Sequence, residues 1–97
     1  MIGVIAKMKI KDGKQAEFEK VFNGLSSKIR DSETGNRAYQ LCRSRTDATQ
    51  YVVLELYESD AALAVHKASE HMRAAGPALA MLLAGRPEIE VLDAVLP

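Results

Sequence analysis

The chain has 97 residues, 47% of them hydrophobic and 27% charged, which is the balance of a folded globular domain and not of a disordered segment. Lys plus Arg number 13 and Asp plus Glu number 13, so the formal net charge is zero. That balance argues against a counterion-driven grip on nucleic acid and against electrostatic docking to an anionic membrane. The length fits one domain spanning residues 1–97, with stability to gain from an oligomer. The single cysteine, Cys42, leaves no internal disulfide and points to a reducing compartment. The apolar start, Met1 to Ala6, precedes its charges at Lys7, Lys9 and Lys11, the reverse of a signal peptide, so a cytoplasmic strand is expected there.

Residues 2–10 alternate, with Ile2, Val4, Ala6, Met8 and Ile10 on one side, which is the period of a strand. Asp12-Gly13 supplies a tight turn. From Lys14 to Asp31 the period becomes helical, and Phe18, Val21, Phe22, Leu25 and Ile29 form one stripe. Gly24 inside that helix costs about 1 kcal/mol against Ala, so close packing is expected there. Asp31 to Asn36 has no period and reads as a loop. Arg37 to Ser44 is a second strand, with Tyr39, Leu41 and Arg43 on one side. A polar hairpin loop, Arg45 to Thr49, leads to a third strand, Gln50 to Tyr57. There Val52, Leu54 and Leu56 make one apolar face, while Tyr51, Val53, Glu55 and Tyr57 make the other. Ser59 caps a helix running to about His66 or Lys67, and Ser69 caps a second segment. Gly76-Pro77 is expected to break that segment and start a third, ending at Gly85. A last strand spans Glu88 to Val95, with Ile89 and Val91 on one face.

The order β-α-β-β-α-β is the ferredoxin-like unit of the α+β class: one antiparallel sheet with its helices on one face. Both faces of the first and third strands are rich in apolar residues. The face without helices therefore needs a cover, and a second copy of the chain, packed on Val52, Leu54 and Leu56, is the economical one.

The stretch from Glu55 to Met72 resembles the signature of the antibiotic biosynthesis monooxygenase family. It has a strand ending in an aromatic residue, an acidic turn, an Ala/Leu helix, then His66 and, five residues on, His71. The short length, the turn at Lys11-Asp12-Gly13-Lys14 and the Pro87-Glu88 lead into the last strand are similar to the same family. The resemblance implies a dimeric α/β barrel, with one small cavity per subunit between helices and sheet. It also implies cofactor-independent oxygenation of quinol-like or other electron-rich small molecules, with molecular oxygen as co-substrate. In the haem-degrading branch an Asn and a Trp would fall on Ala6 and Tyr57, and a His near Gly76 with His71 close by; the chain looks more similar to the quinol-oxidising branch. Two other readings stay open. One is a non-catalytic small-molecule-binding dimer. The other is an isomerase or degrading enzyme for a small phosphorylated sugar, which would need a phosphate clamp from Arg43, Arg45 or Lys67.

The candidate catalytic residues are His66, His71 and Tyr57, as base and hydrogen-bond donor toward a phenolic or enolic substrate. On one continuous helix the two histidines would diverge by about 140°, so a break near Ser69 is needed to bring both to one cavity. The resemblance places Ala6 and Tyr57 on that cavity. Strand alternation then adds Met8, Val53 and Glu55 to its floor, and Leu63 and Met72 close it from above. Burial would raise the pKa of Glu55 unless a cation such as Arg43 holds it ionised. The His66 to His71 spacing differs from His-Glu-x-x-His, and no metal site or cofactor is expected.

Overall fold

The structure is a computed structural model that describes residues 1–95. Strand β1 (Ile2–Lys9) buries every second side chain, as its pattern requires. A turn follows in which Gly13 takes φ +79°, a conformation that favours glycine. Helix α1 (Gln15–Ser32) buries Phe18, Phe22, Leu25, Ser26 and Ile29. The expected close packing at Gly24 is absent: the residue is exposed, and a Cβ there would meet nothing within 4 Å. The buried stripe passes through Leu25 and Ser26 instead, on the other side of the helix. The helix also runs through Asp31 and Ser32, two residues beyond the start of the expected loop.

Strand β2 (Asn36–Arg43) and strand β3 (Gln50–Tyr57) form an antiparallel hairpin, and β3 pairs antiparallel with β1. The loop between β2 and β3 is fixed by Asp47, whose carboxylate accepts from the Thr49 N–H and hydroxyl and from Lys9 Nζ. Helix α2 (Asp60–Ala68) and helix α3 (Glu70–Leu82) carry the expected caps: Ser59 Oγ accepts from Ala62 N, and Ser69 Oγ from Met72 N. Gly76-Pro77 does not break α3, contrary to expectation. Proline's clash with the preceding residue is partly with that residue's Cβ, which Gly76 lacks. Leu79 and Leu82 then anchor the second half of the helix on the core. The helix ends at Leu82, short of Gly85, where Lys11 N–H bonds the Leu82 carbonyl and Ala84 N–H that of Lys9.

Strand β4 (Glu88–Asp93) is shorter than expected and pairs with β1. The sheet order is β2-β3-β1-β4, antiparallel throughout, which is the ferredoxin-like α+β fold. Register sets Ile89 opposite Ala6 and Val91 opposite Val4, on the helix side of the sheet. Among the described residues no helix covers that edge, and Ile89 is 63% exposed. On the opposite sheet face Leu54 is 47% exposed, beside half-buried Ile5, Val52 and Leu56. Among the described residues no helix is long and apolar enough to cross a membrane.

Candidate functional site

A cavity of about 390 Å³ lies between the sheet and the helices. Ala6, Met8, Val53 and Glu55 rise from β1 and β3, and Leu63 and Met72 come down from α2 and α3. These are the six residues expected to line it. Phe22 and Leu25 of α1 close the inner wall. Lys67, Ala80, Pro87 and Ile89 frame the solvent side, and all four are exposed. The inner lining is apolar except for Glu55, His66 and Tyr39.

Glu55 and His66 belong to a buried polar network, against which the Tyr39 ring packs. His66 Nδ1 lies 3.0 and 3.2 Å from the two oxygens of Glu33. The same carboxylate receives His71 Nε2. On the other side of the His66 ring, Nε2 stands 3.9 Å from Glu55 Oε1. The Tyr57 hydroxyl donates to that Glu55 oxygen at 2.6 Å. The Tyr39 and Tyr57 rings pack on His66 with centroids 5.5 and 5.2 Å away. Both expected histidines and Tyr57 therefore come together, and Tyr57 and His66 share one side of the sheet. Their routes to the cavity differ. His66 lines it, whereas Tyr57 acts through Glu55 and His71 through Glu33.

The local folding explains this placement. Ser69 interrupts the helix with extended backbone and donates its hydroxyl to the His66 carbonyl, so α3 restarts in a new direction and His71 turns back toward Glu33. The loop carrying Glu33 is pressed onto α2: a Cβ on Gly35 would sit 2.5 Å from Ala62 Cβ.

Electrostatics define what each group can do. Burial pushes the Glu55 carboxyl up, the Tyr57 hydroxyl offsets part of that, and the nearby Glu33 charge adds to it. Arg43, the expected partner of Glu55, lies instead 3.6 Å from Glu19. The register explains this, since Arg43 stands opposite Tyr51 while Glu55 stands opposite Tyr39. Burial pulls His66 below the ordinary histidine value, against the attraction of Glu33. Burial and the neighbouring carboxylates push both tyrosines, Tyr39 and Tyr57, far above the ordinary phenol value. The tyrosines are thus donors. Glu33 fixes the proton of His66 on Nδ1 and leaves the Nε2 lone pair facing the cavity. A gap of 3.9 Å is too long for a direct hydrogen bond, but a hydroxyl oxygen seated between His66 and Glu55 could reach both.

A family model described as antibiotic biosynthesis monooxygenase matches residues 1–78. The chain belongs to that family. It is similar to a family structure from Caulobacter crescentus CB15, with 48% identity and a TM-score of 0.95 over 98% of this chain and 90% of that one. A conserved protein from Methanosarcina mazei Go1 shares 25% identity and a TM-score of 0.88, covering 94% of this chain and 89% of that one. SnoaB, a cofactor-independent oxygenase from Streptomyces nogalater, shares the fold at 21% identity and a TM-score of 0.85, over 99% of this chain and 94% of that one.

Sequence reasoning about this family member missed Glu33 and the cavity face of Tyr39. A signal for Glu33 existed. The stripe Phe18, Phe22, Leu25, Ile29 continues at the next helical step, four residues on, to Glu33. A carboxylate at the end of a buried apolar stripe needs a partner, and the two histidines supply it.

Proposed function

We propose that the protein is a cofactor-independent monooxygenase that oxidises an electron-rich hydroxylated aromatic, quinol-like in character, with His66 as the base. The observation that carries this reading is the Nε2 face of His66, presented to an apolar cavity with its tautomer set by Glu33. The substrate hydroxyl sits between His66 and Glu55 and gives its proton to Nε2. The resulting anion is electron-rich enough to reduce oxygen by one electron, and the two radicals combine into a carbon-bound peroxide. Cleavage of its O–O bond leaves one oxygen atom on the substrate as a carbonyl. The other oxygen departs as water with two substrate protons. The imidazolium formed on His66 and the Tyr39 hydroxyl at the cavity wall steady the oxyanion, and the apolar walls keep bulk water from it.

The cavity supports this reading over a phosphorylated sugar. Glu55 lies at its polar end, with Glu33 behind His66, Arg43 is engaged by Glu19, and Lys67 is the one cation among the lining residues. In the same reading a second copy of the chain covers the outer sheet face at Val52, Leu54 and Leu56, and the lone thiol of Cys42 suits the cytoplasm.

Oxygen uptake with dihydroxynaphthalene and anthrone substrates tests the proposal. The wild type consumes oxygen and incorporates one labelled atom into the product, while His66→Gln loses about 100-fold or more in rate. An unchanged rate in the variant would remove His66 from the reaction.

A further inference from the structure

Glu33 is one carboxylate shared by two imidazoles. His66 and His71 reach it from different helices, and both His66 and Glu33 are buried, with side chains 6% and 4% exposed. His71 is the wetter ring, with its side chain 14% exposed. A carboxylate that accepts from His71 is less available to His66, so the shared contact weakens the hold of Glu33 on a charged His66.

We propose that His71, by sharing Glu33 with His66, is the positioning residue that keeps the cavity base neutral and ready. The use made of this rests on His66 being the base, but the hold of His71 on Glu33 does not.

The groups that face His66 are consistent with this role. Glu33 comes from the end of α1, Tyr39 from β2, Glu55 and Tyr57 from β3, Lys67 from α2 and His71 from α3. Among them Glu33 favours a charged His66, whereas His71 and Lys67 oppose it. Lys67 is exposed and well hydrated, so His71 is the group whose loss should be felt most.

Nitrogen NMR of the protein with labelled histidine, without substrate, tests the proposal. In the wild type at neutral pH His66 is expected to show the neutral pattern with its proton on Nδ1. In His71→Gln the midpoint of His66 should rise by about one pH unit, a tenfold change in its proton affinity. In Glu33→Gln it should fall. A resting His66 imidazolium at neutral pH, or an unmoved His66 midpoint in His71→Gln, would each overturn the inference. Where His71→Gln fails to fold, His71→Asn gives the same readout. The oxygenase reading fails separately: a wild type that consumes no oxygen with any aromatic substrate would sink that reading and leave the titrations standing.

Discussion

Tyr51 and Tyr57 stand on the same strand and the same face, and each donates its hydroxyl to a glutamate: Tyr51 to Glu19, Tyr57 to Glu55. The surroundings separate them. Glu19 and its neighbour Arg43 have side chains 42% and 57% exposed, so that pair sits at a wet rim. Glu55 and its neighbour His66 have side chains 7% and 6% exposed. At the rim, water screens the charges and the arrangement contributes little. In the interior, the same chemistry carries a desolvation cost that only well-made hydrogen bonds offset. Equivalent phenol–carboxylate pairs thus serve as a surface clasp at one end of β3 and as part of the candidate site at the other.

Removing the two hydroxyls should break the comparison most clearly. Tyr57→Phe strands a buried carboxyl and is expected to destabilise the fold by about 1–3 kcal/mol, against about 0.5–1 kcal/mol for Tyr51→Phe. Chemical denaturation of both variants checks this; equal losses would mean that the interior pair is no different from the rim pair.

The pH dependence of stability sharpens the same contrast. Native His66 lies below its ordinary value of 6.5, so as pH falls through that value the unfolded chain takes up a proton that the native ring resists, and stability is lost on the acid side. Native Glu55 lies above its ordinary 4.5, so as pH rises above 4.5 the unfolded carboxyl ionises first, and stability is lost in that direction. Glu55→Gln should therefore flatten the decline above 4.5, and His66→Gln should flatten the decline below 6.5. Melting curves across the range measure both slopes, and slopes unaltered by either variant would contradict the assignment. The smallest effect belongs to Arg43→Gln at the rim, expected to stay within about 0.5 kcal/mol and to vanish in high salt.

The strands and caps were legible because one signal decided each. The alternation of β1 and β3 marked the elements and sorted their side chains into two faces, and Ser59 and Ser69 cap as their positions required. The continuity of α3 was not legible, because tolerance of Pro77 depends on the missing Cβ of Gly76 and on tertiary contacts of Leu79 and Leu82. Strand parity, which is local, grouped the cavity-floor residues, and the family resemblance through Ala6 and Tyr57 chose the face. Glu33 followed from neither, since its role arises from contacts with residues 33 and 38 positions away. Tyr39 fell between the two: its side of β2 was readable, but its place over the cavity depends on register with Glu55.

The interruption at Ser69 behaves as a joint whose angle is encoded by what is left out. A single extended residue, held at φ −66° and ψ 149°, separates two short helices that a continuous helix would have kept on diverging bearings. Adding or removing one helical residue between Ser69 and His71 would turn His71 by about 100° around the α3 axis, away from Glu33. The number of residues between His66 and His71 is therefore as binding as their identity.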